Sequence, residues 1–192
     1  MSRMMKICTY VWVYCSMIGY ALAVGIDPAP YIDYINNLTT VEAQFLQENP
    51  DGSLDEGVFY LSRPGLMRLD YAPPNPLQII ARDQYLIHYN RDTREANYLA
   101  LSDTPAAVLL QPKIMLGNEL KVEKAIAEKG LVRIRLRHIY SEGYIEMVFA
   151  PLPIIELKQW MVVDASGNQT RVTLQGAHTG KVFAEGLFAY PK

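Results

Sequence analysis

Along most of this chain apolar side chains recur at every second position, and each such run stops at a cluster of turn-forming residues. No other feature limits the fold as strongly. A period of two gives a strand one apolar and one wet face, and such strands are stable when their apolar faces line up on one antiparallel sheet. Glu42-Ala43-Gln44-Phe45-Leu46-Gln47 leads to a turn at Asn49-Pro50-Asp51-Gly52, and Gly57-Val58-Phe59-Tyr60-Leu61-Ser62-Arg63 reads as the returning strand. Met67, Leu69 and Tyr71 alternate with Arg68 and Asp70 up to Ala72-Pro73-Pro74-Asn75-Pro76, which cannot continue a ladder. Leu77, Ile79 and Ala81 follow, then Tyr85, Ile87 and Tyr89, with Arg82-Asp83 as a tight connection. Asn90 to Thr93 turns the chain into a run from Ala96 to Leu101. Further on, Val132, Ile134 and Leu136 oppose Arg133, Arg135 and Arg137; Ile145, Met147 and Phe149 share a face; Val172 and Leu174 follow a hairpin loop from Asp164 to Asn168.

Two stretches break the alternation. Tyr31, Ile32, Ile35 and Leu38 form a helical stripe, with Asp27 as a cap and Pro28 at the first position. Ser102-Asp103-Thr104-Pro105-Ala106-Ala107-Val108-Leu109-Leu110 carries a capping residue and a helical proline and predicts a short apolar helix; Ile114-Met115-Leu116 is a further apolar piece ending at Gly117. Helices this short and apolar must bury themselves against something, and the apolar face of the sheet is the available surface. With 192 residues, no repeat and no linker, the chain reads as one domain of mainly β (α+β) class.

The first 23 residues read as a cleaved signal peptide. Arg3 and Lys6 make a positive start, Ile7 to Tyr20 is apolar apart from Thr9 and Ser16, and Ala21-Leu22-Ala23 is a small-x-small cleavage site. An uncleaved membrane anchor is the other reading, but the run is shorter than the ~20 residues a spanning helix prefers. Residues 24–192 then form the mature domain. Cys8 and Cys15 both lie in the leader and neither follows a lipobox, so the mature chain has no disulfide, no thiol nucleophile and no cysteine metal site. Losing Arg3 and Lys6 moves the formal charge from -2 to -4, a balance that disfavours nucleic acid and anionic bilayers as partners.

Catalysis finds no support. His88, His138 and His178 are 50 and 40 residues apart and have no ligand spacing. There is no Gly-x-Ser-x-Gly elbow and no phosphate-binding glycine loop, so neither an enzyme, a cofactor nor a metal is expected. The Arg133, Arg135, Arg137 ladder is the wet side of a strand, with docking of a partner as the alternative.

The central region resembles the outer-membrane lipoprotein carrier family, LolA. Val41 to Gln47 looks like that family's first strand, and Gly57 to Tyr71, with Arg63-Pro64, looks like its Gly…Arg-Pro hairpin. The Tyr85 to Tyr89 strand, the Asn90 to Leu101 hairpin and Thr104-Pro105…Leu109-Leu110 follow in family order, so the likeness covers roughly residues 38 to 150. It departs at Arg82-Asp83-Gln84, where many relatives carry Asp-Gly-Lys, and the region from Pro151-Leu152-Pro153 onward looks shorter. The resemblance implies an unclosed antiparallel β-barrel with a helical lid over an apolar cavity. It implies a monomeric periplasmic chaperone, taking acylated lipoproteins from an inner-membrane ATP-driven extractor to an outer-membrane acceptor. It assigns the lid latch to Arg63 and the lid to Thr104, Pro105, Val108, Leu109 and Leu110. A periplasmic sensor or a carrier of another lipid would use the same half-barrel. Strand parity places Phe59, Leu61, Met67, Leu69, Tyr71, Ile79, Ile87, Met147 and Phe149 on the inward face. A solidly filled core would give the same pattern as a cavity.

Overall fold

The computed structural model describes residues 24–190, so the leader and its cleavage site lie outside the described residues. Twelve strands form one antiparallel sheet: β1 (Val24–Gly25), β2 (Thr40–Glu48), β3 (Leu54–Ser62), β4 (Leu66–Tyr71), β5 (Leu77–Arg82), β6 (Tyr85–Asn90), β7 (Ala96–Ala100), β8 (Leu120–Glu128), β9 (Leu131–His138), β10 (Tyr144–Ala150), β11 (Glu156–Val163) and β12 (Gln169–Thr179). Their order is β1-β8-β9-β10-β11-β12-β2-β3-β4-β5-β6-β7. The edges β1 and β7 do not pair, so the sheet curls without closing into a barrel.

Most connections are hairpins between sequence neighbours. The exceptions are the passage from β1 to β2, which carries a helix, and the return from β7 to β8, which carries the lid. The helix α1 (Ala29–Asn37) starts where Asp27 accepts the Ala29 N–H at 3.0 Å, and it buries Ile32 and Ile35. The expected second helix is two 3-10 segments, Leu101–Asp103 and Pro105–Leu110, and Thr104 caps the latter by accepting the Ala106 N–H at 3.3 Å. The second segment buries Val108, Leu109 and Leu110.

The core lies in the concavity. Between Phe45 and Tyr71, whose rings meet edge-on at 5.1 Å, the inward position of β3 is Gly57. A Cβ there would sit 2.0 Å from the Asp70 carbonyl oxygen, so only glycine lets the strands and rings close.

Two strands do not follow from alternation. In β8 a register shift between Val122 and Lys124 interrupts the period, and its Lys, Glu and Ala content carries no strand signature. In β11, Trp160, Met161 and Val163 are buried on alternate and adjacent positions because both faces are covered.

The outer face of β4–β6 has a small core of its own. Ile80 and Ile87 pair across β5 and β6, point outward and are fully buried. The stretch after β12 crosses this side. Lys181 Nζ meets Glu42 at 2.8 Å, Phe183 packs edge-on against Tyr60, and Phe188 is buried. Arg68 and Arg82 donate to the carbonyls of Leu187 and Phe188 at 2.6 and 3.2 Å, and the Tyr190 hydroxyl reaches Asp83 at 3.1 Å.

Candidate functional site

The concave face collects the apolar residues that parity predicts, with one correction. Phe59, Leu61, Met67, Leu69 and Tyr71 of β3 and β4 and Met147 and Phe149 of β10 are buried together, and Ile79 of β5 is half-buried against them. Ile87 is not among them. It pairs with Ile80, whereas Ile79 pairs with His88 and Ala81 with Leu86, so the inward residues of β6 are Leu86 and His88. The sequence Tyr85-Leu86-Ile87-His88-Tyr89 is apolar on both parities, and the face that looks more apolar is the one under the C-terminal stretch.

The helix α1 and the segment between β7 and β8 fill the concavity. Tyr31 and Tyr34 of α1 lie against Phe149 with ring centroids 5.3 and 6.1 Å away, and the Tyr34 hydroxyl accepts the Leu157 N–H at 3.4 Å. The second 3-10 segment lies against β10 and β11, and Trp160 faces Phe59 at 5.0 Å. Recesses of about 650 and 310 Å³ flank the lid. The larger runs between Pro64-Gly65-Leu66, Asp83-Gln84-Tyr85 and Leu110; the smaller lies between Thr104, Pro105 and Val108 and the β9–β10 connection.

A few polar bonds hold the lid down. Leu101 N–H donates to the Gln84 carbonyl at 2.8 Å and Gly65 N–H to the Leu110 carbonyl at 3.0 Å. At the far end the Asn36 amide accepts the Ile114 N–H at 2.7 Å and donates to the Ile114 carbonyl at 3.1 Å. Alternation gives no sign of Asn36; its one signal is a polar residue directly after Ile35 in the helical stripe.

Arg63 sits at the joint of these parts. Its guanidinium donates to the Ile35 carbonyl of α1 and to the Gln111 carbonyl, the latter at 2.6 Å. It therefore ties the helix to the residue just beyond the 3-10 segment rather than to Thr104–Leu110 itself. Its Nε is buried without a hydrogen-bond partner among the described residues, and burial lowers its pKa from the usual arginine value. The charge is held by carbonyl dipoles; α1 has no basic residue in its last turn, and Arg63 supplies a cation to that negative end from another strand.

The family model described as "Outer membrane lipoprotein carrier protein LolA" matches residues 36–191, which takes in β2 to β12, the lid and Arg63 itself. The chain belongs to the outer-membrane lipoprotein carrier family. A carrier protein of Methylococcus capsulatus is 28% identical over 166 residues, covering 82% of this chain and 79% of that one. One from Neisseria gonorrhoeae is 26% identical over 156 residues, covering 77% and 72%. The crystal structure of an uncharacterised conserved protein from Thermus thermophilus superposes with a TM-score of 0.51 at 12% identity, covering 86% of this chain and 96% of that one, a likeness of fold alone.

This is a family of carriers rather than enzymes. His88 points into the concavity and burial lowers its pKa, which favours a neutral imidazole. His138 lies beside Tyr140 near the lid and His178 is on β12, so the fold does not bring the three together. Among the described residues no helix is long and apolar enough to cross a membrane. The arginine ladder faces outward and is largely neutralised. Glu146 on β10 accepts from Arg133 at 3.4 Å and from Arg135 at 3.0 Å, Arg137 pairs with Glu123, and the Arg135 guanidinium stacks 4.1 Å above the Tyr144 ring.

Proposed function

We propose that this protein is a periplasmic chaperone that covers the acyl chains of lipoproteins, receives them from an inner-membrane ATP-driven extractor and delivers them to an outer-membrane acceptor. Its leader is removed after Ala23 on export. The observation that carries this reading is the way the concave face is filled. Tyr31 and Tyr34 of α1 lie over Phe149, the lid adds Val108, Leu109 and Leu110 to the same apolar cluster, and both elements are fastened by the few bonds of Arg63, Asn36 and Gly65. Lifting both would uncover a continuous apolar wall.

The energetics suit such a device. Each buried CH₂ is worth about 0.8 kcal/mol, so an exposed multi-acyl anchor costs tens of kcal/mol in water. A carrier must cover those chains and still let go. A lid that fills the site when empty weakens net binding by the cost of opening, which keeps release feasible. Arg63 sets that cost in this reading, and the inward residues other than Ile87 form the wall that the chains meet.

The test is loading and hand-off in a purified system. The protein should take acylated lipoprotein from an extractor-bearing membrane into the soluble fraction and pass it to an acceptor. Co-purified material identified by mass spectrometry should carry acylated N-terminal peptides; free lipid alone would replace lipoprotein by another lipid as cargo. A full-length chain with an intact N-terminus in the membrane fraction would refute the processing step.

A further inference from the structure

The connection between β10 and β11 projects two large apolar side chains into solvent. Leu152 is 80% exposed and Ile154 is 74% exposed, while the next residue, Ile155, packs against the core and fixes the base of the loop. Solvent exposure to this extent in consecutive alternate positions has no folding benefit. We propose that this loop is an interfacial contact for a lipid bilayer, dipping Leu152 and Ile154 into the boundary between headgroups and acyl chains.

Three features select a bilayer over a protein surface. The loop Pro151-Leu152-Pro153-Ile154-Ile155 contains no charged residue, and two of its five residues are prolines with no N–H to strand without a partner in lipid. Two side chains alone fall short of a specific protein interface, which needs about 800 Å² per partner, whereas a bilayer accepts isolated side chains. The pairing of Phe149 with Val132 brings the β8–β9 turn alongside the loop, and that turn carries exposed Lys129, a charge of the sign that phosphate headgroups attract. With an acidic chain behind it, the contact is weak and reversible, a touch-down rather than an anchor.

This inference does not rest on the carrier reading, because its test uses vesicles without lipoprotein. Co-sedimentation with vesicles of phosphatidylethanolamine and phosphatidylglycerol (3:1) should show measurable partitioning. The double variant Leu152→Ser with Ile154→Ser should lower it by about tenfold or more, with an unchanged thermal melt, since neither side chain belongs to the core. Leu152→Trp should gain a blue-shifted emission component on adding vesicles, quenched by shallow rather than deep brominated lipid. Vesicle binding equal in parent and double variant, or no vesicle-dependent change in Leu152→Trp, would overturn the proposal. So would a double variant that keeps vesicle binding but loses contact with a protein acceptor, which would make the loop a protein-docking element.

Discussion

Arg63 on the concave side and Glu146 on the convex side are both charges drawn out of water, yet they are held in opposite ways. Glu146 is fixed by two arginines on the adjacent strand β9, so its partners cannot move unless the sheet itself does. Among the described residues Arg63 has no carboxylate partner. It is bonded to two backbone carbonyls, and these belong to α1 and to the end of the lid. One arrangement is a rivet within the sheet, and the other is a clasp between parts that separate in the function proposed above. A clasp made of carbonyls can reopen because a guanidinium released from them meets water instead of leaving an unpaired counter-charge behind.

The largest effect is expected where this contrast is sharpest. In Arg63→Leu the clasp is lost, and charge-assisted bonds of this sort are worth roughly 1.5–3 kcal/mol each, enough to shift an open–closed equilibrium by tenfold or more. Cargo should load, transfer to an acceptor should fall by about that factor, and the melt should change little if the lid is a separable unit. Normal hand-off by a well-folded variant would remove the clasp from this picture. Asn36→Ala, which frees the lid at Ile114, should shift the same assay in the same direction by less.

Glu146→Ala should do the reverse, lowering stability and leaving hand-off alone. Stripping a partner from a fully buried ion pair costs about 3–5 kcal/mol, but solvent reaches Arg133 and Arg135, so about 1–2 kcal/mol is the expected loss in a denaturant titration. A double-mutant cycle with Arg135 should recover most of it; additivity would mean that the two side chains do not interact.

How much of this is legible in the sequence follows the same division. Strands with one covered face, such as β3 and β4, can be read directly, because burial and period coincide in Phe59, Leu61, Met67, Leu69 and Tyr71. Parity misplaces Ile87 because the C-terminal stretch gives the outer side of β6 a core as well, and no local pattern announces a cover supplied a hundred residues later. Alternation passes over β8 because its bulge breaks the period. Arg63 stands out through the family likeness, whereas its actual partners, Ile35 and Gln111, are backbone groups that no side-chain pattern can name.

The concave side should also resist a second charge. Burial depresses the His88 pKa below that of the unfolded chain, so the unfolded state binds a proton first as pH falls. The stability contributed by neutral His88 is therefore full above the unfolded value of about 6.5 and is lost as pH drops from there toward the folded value. Folding free energy measured between pH 7.5 and 5.5 should fall by less than about 1 kcal/mol from this source, and His88→Leu should flatten that part of the profile. An identical slope in the variant would place the titration elsewhere.

The smallest effect compares one turn from each side. The β8–β9 hairpin, beside the arginine ladder, closes through Lys129-Gly130 with φ values of 52° and 76°. The β5–β6 hairpin, at the rim of the lid recess, closes through Asp83-Gln84 with almost the same backbone, 50° and 74°. Two-residue turns of this type want glycine at the second position, where an L side chain in the left-handed region is strained by roughly 1–2 kcal/mol. Glycine gives back part of that gain through its greater freedom in the unfolded chain, leaving a net of about 0.5 kcal/mol. Gln84→Gly should accordingly stabilise the protein by about 0.5 kcal/mol, and Gly130→Gln should destabilise it by a similar amount. The two turns differ in one respect that decides what else to measure. The Gln84 carbonyl accepts the Leu101 N–H at the start of the lid, while Asp83 holds Arg82 and the Tyr190 hydroxyl. If the glutamine's strain helps the lid to lift, Gln84→Gly will slow hand-off while raising stability. A stabilised protein with unchanged hand-off would make the turn a local irregularity with no part in the opening of the lid.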